Sequence, residues 1–132
     1  MESYGHSPDE AAVIIWEQGN IRSIDLRTRD HWTLGRTSSQ SVPDIPLASP
    51  IAGRRHGEFI RIDGNWFFRD GGSINGTFHN GRKLPSGTGT APAPVMLRNM
   101  DLLRIDYHDL NTPDPRGVRL LFVTAAADGA WQ

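Results

Sequence analysis

Turn-forming residues divide this chain into short apolar runs, and this spacing is the feature that most restricts its fold. Four pairs can supply the positive φ angles of a tight turn: Gly19-Asn20, Asp63-Gly64, Asn75-Gly76 and Asn80-Gly81. The first two pairs each separate two apolar runs, as in a two-residue hairpin. The pattern predicts an all-β chain of short strands joined by tight turns.

Two strands are predicted near the C-terminus. Leu103, Ile105 and Tyr107 alternate with polar residues, which is the period of a strand with one buried face. Residues 118–124 are apolar at most positions, which predicts a strand covered on both faces. Residues 37–49 and 85–94 are rich in polar residues, Gly or Pro, and we expect both segments to be loops.

The N-terminal region leaves two interpretations open. Residues 7–10 read Ser-Pro-Asp-Glu and fit the start of a helix, with an N-cap followed by proline. Residues 13–16 are β-branched or aromatic, which favours a strand, and the strand is our preferred interpretation. We expect residues 1–10 and 126–132 to be tails around one domain at 11–125.

Composition excludes several classes of protein. With 37% hydrophobic and 22% charged residues the chain is too apolar to be intrinsically disordered, and no apolar run is long enough to cross a bilayer. The absence of cysteine excludes disulfides and thiolate zinc sites. The N-terminus lacks the basic and apolar regions of a secretory signal, so we expect a cytoplasmic protein that does not interact with membranes.

No catalytic, metal-binding or nucleic-acid-binding motif is present in the sequence. No Gly-x-Ser-x-Gly turn and no Gly-rich loop ending in Gly-Lys-Ser or Gly-Lys-Thr occurs. Arg54-Arg55 is too small a basic cluster for nucleic acid, and the net charge is −1. The histidines are scattered without metal-ligand spacing: His6, His31, His56, His79 and His108. We therefore expect no enzyme activity, no cofactor, no metal and no nucleic-acid partner.

Three blocks of residues carry a family resemblance. Residues 32–36 read WTLGR, residues 53–56 read GRRH, and residues 70–81 read DGGSINGTFHNG. In order and spacing they resemble the forkhead-associated (FHA) family, which shows Gly-Arg, Ser-Arg-x-His and Asp-x-x-Ser-x-Asn-Gly-Thr-x-x-Asn-Gly. The matching core extends from 32 to 84, and residues 98–105 resemble a later strand of the family.

The resemblance implies a fold and a function. The fold is a twisted β-sandwich of about eleven strands, with the ligand loops at one end. The function is to bind phosphothreonine on a partner protein, either a substrate of a Ser/Thr kinase or the kinase itself. A phosphothreonine carries nearly two negative charges and three acceptor oxygens, so a competent site needs converging donors and a cation.

Four residues are implied to contact the ligand. Arg36 occupies the position of the family's phosphate-binding arginine, and its alternative is an exposed surface arginine. Asn75 matches the asparagine that hydrogen-bonds the peptide backbone beside the phosphothreonine, and its alternative is a plain turn residue. Arg54 stands where some members use a second polar contact. Gly53 stands at the serine position and offers a backbone N–H to the phosphate.

Three more residues are implied to support the loops rather than to contact ligand. His56 is expected to brace the loop beneath the phosphate, and Ser73 and Thr77 are expected to hold the loop through their hydroxyls. Two departures from the family pattern weaken the phosphate site, since Gly53 lacks the serine hydroxyl and Ile74 replaces a polar residue. A phosphate-independent protein contact on the same scaffold is the alternative function.

Overall fold

The computed structural model describes residues 10–85, 92–106 and 114–124, which form two packed β-sheets. The six-stranded sheet has the order β2-β1-β11-β10-β7-β8, with β1 at Ala11–Glu17, β2 at Asn20–Asp25, β7 at Phe78–His79, β8 at Arg82–Lys83, β10 at Leu102–Ile105 and β11 at Val118–Thr124. The five-stranded sheet has the order β4-β3-β5-β6-β9, with β3 at His31–Arg36, β4 at Ile45–Leu47, β5 at Gly57–Ile62, β6 at Asn65–Asp70 and β9 at Val95–Met96. One 3₁₀ turn, Leu26–Thr28, connects the sheets.

The core lies between the two sheets because alternate residues of each strand point inwards. Ile15, Leu103 and Leu120 come from the six-stranded sheet and are fully buried. Phe59 and Phe68 come from the other sheet and pack edge to face, with ring centroids 5.1 Å apart. Burying a side chain of this size contributes roughly 1.5–3 kcal/mol, so this layer supplies the main stabilisation of the fold.

Several local predictions are confirmed. Ala11–Glu17 form strand β1, the preferred interpretation, and not a helix. Leu103 and Ile105 are the buried positions of β10, as the alternation predicted. Asp63-Gly64 joins β5 to β6 and Asn80-Gly81 joins β7 to β8, with positive φ at both residues of each pair. These turns were predictable because their backbone geometry restricts which residues they accept.

Two turn predictions are wrong in detail. The β1–β2 turn is centred on Gln18 and Gly19, with φ of 50° and 79°, and Asn20 already pairs with Glu17. Asn75-Gly76 forms no hairpin, because it lies within the loop between β6 and β7. In both cases the strand pairing decides where the turn begins, and the sequence pair alone does not.

Two segment predictions also need correction. Residues 37–49 are not wholly loop, since β4 pairs in parallel with β3, and Pro46 is tolerated because β4 is an edge strand. Strand β11 buries one face only, and Arg119 is exposed on the other. The predicted tails, apart from Glu10, lie outside the described residues, as do the rest of the possible helix start, Tyr107 and residues 86–91.

Three loops meet at one end of the sandwich: 37–44 after β3, 48–56 after β4, and 71–77 after β6. Backbone hydrogen bonds join them, since Arg36 N–H donates to Gly53 O at 2.8 Å and Gly71 N–H donates to His56 O at 2.8 Å. The strand directions require this meeting, because β3 and β4 are parallel and β6 ends beside the start of β5. The motif residues are thereby brought together.

Candidate functional site

A buried carboxylate organises the loop that follows β6. Asp70 is only 2% exposed. Its Oδ2 accepts from the N–H groups of Gly72 and Ser73, each at 2.9 Å. Its Oδ1 accepts from Ser73 Oγ at 2.7 Å and from Thr77 Oγ1 at 2.8 Å. A buried carboxylate is costly unless hydrogen-bond donors surround it. Four hydrogen bonds meet this need at Asp70, and together they hold the loop in one conformation.

His56 links this loop to the neighbouring loop. Its Nε2 lies 2.8 Å from Thr77 Oγ1, and since that hydroxyl donates its proton to Asp70, the imidazole N–H is the donor in this contact. Its Nδ1 accepts from the Gly53 N–H at 3.0 Å. The network therefore assigns the neutral tautomer with the proton on Nε2.

Burial disfavours the protonated form of His56. Desolvation lowers its pKa below the ordinary value of 6.5, and the nearby charge of Asp70 opposes that shift only in part. In the unfolded chain this histidine takes up a proton as pH falls through 6.5, whereas folded His56 resists protonation. The contribution of His56 to the free energy of unfolding is therefore retained above pH 6.5 and decreases below it.

Arg36 ends β3 with its guanidinium half-buried. Its Nε donates to the carbonyl of Ala52 at 3.0 Å, which fixes the direction of the side chain. Neither terminal guanidinium nitrogen forms a hydrogen bond or ion pair with a residue in the described ranges. Arg36 thus presents a positioned cation and terminal donors to the space between the loops.

Gly35 allows Arg36 to reach this position. A Cβ at Gly35 would lie 2.2 Å from the carbonyl oxygen of Arg54, which is far inside contact distance. Strand β3 therefore packs directly against the backbone of the 48–56 loop. The Gly-Arg pair therefore has a physical explanation. Glycine permits the close approach of strand and loop, and this approach brings Arg36 within hydrogen-bond distance of Ala52.

An open depression of about 490 Å³ lies between the three loops. Its lining includes Arg36, Arg54 and Arg55 together with Ser73 and Ile74, and none of the described residues that line it is a carboxylate. Arg54 is exposed, and its Nη1 donates to Gln40 Oε1 at 3.2 Å. Three arginines without a carboxylate make this depression suited to an anion.

Asn75 lies at the edge of the same loop cluster. Its Nδ2 donates to the carbonyl of Ile51 at 2.9 Å, which ties loop 71–77 to loop 48–56. No hydrogen bond to its Oδ1 is formed within the described part of the chain. The side-chain amide is therefore oriented by one contact while its oxygen can accept a hydrogen bond from a ligand.

The structure assigns Gly53 a different contact from the one expected. Its N–H donates to His56 Nδ1 and its carbonyl accepts from Arg36 N–H, so the backbone donor offered to the phosphate is already engaged. Ser73 supports the loop on Asp70 and also receives the Gly76 N–H at 3.1 Å. Arg36 and Arg54 line the depression, whereas His56 and Thr77 are buried and do not line it.

Sequence reasoning missed the role of Asp70. The available signal was its position at the end of a strand before Gly-Gly-Ser, where an aspartate accepts from N–H groups two and three residues ahead. Within the described ranges, no cluster of three or more His, Cys, Asp or Glu residues is arranged to hold a metal ion. The same residues contain no helix that is long and apolar enough to span a membrane.

A family model described as the FHA domain matches residues 32–106. The chain belongs to the FHA domain family. The resemblance seen in the motifs is confirmed, and FHA domains are interaction modules rather than enzymes. A comparison with curated protein sequences found no match.

Three solved structures, two of them FHA domains, show the same fold. The FHA domain of CT664 from Chlamydia trachomatis gives a TM-score of 0.66 at 20% identity, covering 89% of this chain and 99% of that one. The N-terminal FHA domain of Saccharomyces cerevisiae Rad53p, in complex with a phosphothreonine peptide, gives 0.66 at 21% identity, covering 87% and 93%. Full-length yeast Pml1p gives 0.66 at 20% identity, covering 86% and 81%. The predicted all-β sandwich is confirmed.

Proposed function

We propose that this FHA domain binds a phosphothreonine-containing segment of a partner protein in the depression between its three loops, and that it catalyses no reaction. The observation that carries the proposal is the arrangement of Arg36 in the lining of this depression. Its Nε donates to the carbonyl of Ala52, while its terminal nitrogens form no hydrogen bond with a described residue. A phosphate dianion offers the acceptors and the negative charge that such a positioned guanidinium satisfies.

Other residues complete the proposed recognition. Arg54 lines the same depression and reaches a ligand by exchanging its exposed contact with Gln40 for a charged one. The Oδ1 of Asn75 accepts from the ligand backbone while its Nδ2 stays on Ile51. His56, Ser73 and Thr77 hold the loops without contacting ligand, so the site is largely formed before binding.

The proposed partner is a phosphorylated protein, either a Ser/Thr-kinase substrate or the kinase, in the cytoplasm. The Rad53p domain of the same fold was solved with a phosphothreonine peptide, and the FhaA FHA domain was solved with the intracellular domain of Rv3910. These complexes support a protein ligand for this fold.

The deciding experiment is a peptide array that presents each sequence as phosphothreonine, phosphoserine and unphosphorylated threonine. We expect enrichment of the phosphothreonine members, with phosphoserine weaker because it lacks the threonine methyl that family members pack beside the asparagine. Equal capture of phosphorylated and unphosphorylated twins would refute phosphate recognition.

A phosphate-independent protein contact is the second candidate function. Ile74 lines the depression and is 95% exposed, which places a large apolar side chain where the family has a polar one. Packing this side chain against an apolar group of a partner would remove its surface from water, which is favourable. In the array, this function predicts that unphosphorylated apolar sequences are captured as well as phosphorylated ones.

Gly53→Ser is expected to strengthen phosphopeptide binding about fivefold, or roughly 1 kcal/mol, because it adds a hydroxyl donor beside the phosphate. The change fits the loop. Gly53 does not adopt a positive φ, and an added Cβ would lie 3.7 Å from His56 Nδ1 and 3.8 Å from Ser73 Cβ. Isothermal titration of both proteins with one phosphopeptide measures the gain.

Gly53→Ala is the matched control for this prediction. It adds the same Cβ and the same backbone restriction without the hydroxyl. If alanine raises the affinity as much as serine, loop stiffening is the cause and the hydroxyl contributes nothing. Weaker binding by the serine variant would show that the phosphate approaches from another side of the loop.

Phosphopeptide affinity is expected to decrease as pH falls through about 6, where the ligand phosphate takes up its second proton. Desolvation lowers the pKa of the buried His56 below 6.5, so this histidine takes up a proton less readily in this range than an exposed histidine does. Titrations between pH 7.5 and 5, with unfolding midpoints measured by circular dichroism at each pH, separate loss of ligand charge from loss of fold. An affinity that stays constant across the range contradicts recognition of the dianion.

A further inference from the structure

A row of directly opposed residues crosses the outer face of the six-stranded sheet. Trp16 of β1 lies opposite Ile21 of β2 and opposite Arg119 of β11, and Arg119 lies opposite Arg104 of β10. Their neighbours along the strands, such as Ile15, point into the core. By strand alternation these four residues therefore face away from the core. We call them the Trp16–Arg119 patch.

The patch forms one wall of a depression of about 380 Å³, which shares no lining residue with the one beside Arg36. Ile21 is 61% exposed and Trp16 is 36% exposed, so two large apolar side chains are open to contact. Trp and Arg are the residue types that most often dominate binding energy at protein interfaces. The patch has the composition of such an interface.

The charges of the patch are unbalanced. Arg104 and Arg119 are directly opposed across two strands, and like charges in that arrangement repel. Arg119 has no hydrogen bond or ion pair within the ranges that the structure describes. Arg104 is largely buried, with its Nη2 3.7 Å from Asp106 Oδ2 and its guanidinium over the ring of Phe78. A carboxylate bound at the exposed Arg119 would balance the charge that is left.

The carboxylates that also line this depression are engaged with other groups. Glu17 accepts from the N–H groups of Ala48 and Ser49, Asp106 accepts from the N–H of Asp114, and Asp114 pairs with Arg116. They anchor the ends of the strands and the adjacent loops. The guanidinium of Arg119 is left for a ligand.

We propose that the Trp16–Arg119 patch binds a second protein segment, in which an aromatic or large aliphatic side chain lies next to carboxylates. The apolar side chain packs against Trp16 and Ile21, while a carboxylate pairs with the exposed guanidinium of Arg119. No phosphate is required, because a carboxylate supplies the acceptor pair that matches an arginine fork. The domain then binds its partner at two separate surfaces.

The test uses a peptide with one Phe flanked by two Asp on each side, a twin with Lys in place of every Asp, and a twin with Ala in place of Phe. Binding is followed by NMR on ¹⁵N-labelled protein through the indole N–H of Trp16, assigned with Trp16→Phe. We expect the Asp–Phe peptide to shift this resonance, and both twins to bind at least about tenfold more weakly.

Arg119→Glu is expected to weaken the Asp–Phe peptide at least about tenfold. The fold should be retained, since the variant places opposite charges across β10 and β11. Arg82→Glu, the same charge change at an exposed position of the same sheet, is the control and should bind as wild type. Phosphothreonine-peptide affinity should be the same in all three proteins, so this test is independent of the Arg36 site.

Three outcomes would overturn the proposal. The first is the absence of a Trp16 shift with the Asp–Phe peptide, and the second is equal binding of that peptide by wild type and Arg119→Glu. The third is a different occupant of the patch, seen either as a dimer in sedimentation that Trp16→Glu disrupts or as cosedimentation with phosphatidylglycerol vesicles that Arg119→Glu removes.

Discussion

Arg36→Ala is expected to abolish measurable phosphothreonine-peptide binding while leaving the fold intact. The variant removes the cation that faces the depression and the Nε that holds it on Ala52. Truncating one partner of a hydrogen-bonded charge pair costs roughly 2–5 kcal/mol, or at least about 30-fold in affinity. Isothermal titration with the best peptide of the array measures the loss, and circular dichroism checks the fold.

Two variants make the Arg36 experiment specific. Arg36→Lys keeps the charge but loses the planar fork, so an intermediate affinity is expected. Arg82→Ala removes an exposed arginine from β8, outside the depression, and should leave the affinity unchanged. Wild-type affinity in Arg36→Ala would place the phosphate elsewhere, whereas equal losses in Arg36→Ala and Arg82→Ala would indicate a general charge effect.

Asp70→Ala is expected to lower the free energy of unfolding by roughly 2–5 kcal/mol and to disorder the ligand loop. It removes the acceptor of four hydrogen bonds, two of them from the N–H groups of Gly72 and Ser73. A lost acceptor leaves buried donors unpaired, and no side chain in the loop replaces it. Equilibrium denaturation in urea measures the change, and the slope of the transition reports whether unfolding stays two-state.

The matched variants for Asp70 separate the network from the position. Ser73→Ala removes one donor to the carboxylate and the acceptor of the Gly76 N–H, but leaves the carboxylate its other partners, so a loss of roughly 1–2 kcal/mol is expected. Phosphopeptide affinity should fall more in Asp70→Ala than in Ser73→Ala, because only the former releases both ends of the loop. If the free energy of unfolding of Asp70→Ala lies within about 0.5 kcal/mol of the wild-type value, the carboxylate does not organise the site.

The candidate site was predictable from sequence only as a set of residues. The three motif blocks identified Arg36, Arg54 and Asn75, and the structure brings their loops together at one end. The hydrogen bonds inside the site were not predictable, because each depends on a partner that folding brings near. Gly53 illustrates this, since its N–H is taken by His56 rather than left for a ligand.

Features that depend on a few adjacent residues could be predicted from the sequence. Asp63-Gly64 and Asn80-Gly81 form hairpin turns because few residues accept positive φ. The β-branched and aromatic residues of β1 form a strand because the pleated surface suits them. The all-β class follows from the repetition of such local signals along the chain.

Features that depend on contacts between distant residues could be seen only in the tertiary structure. The three-residue strand β4 forms because it pairs with β3. The first turn is centred on Gln18-Gly19, one residue before the predicted pair, because the register of β1 with β2 keeps Ile15 on the buried face. Asp70, His56 and Thr77 form one network only after β5 and β6 align. The physical reason is that a hydrogen bond or a buried contact is made in space, and the sequence specifies the donors and acceptors without specifying which of them meet.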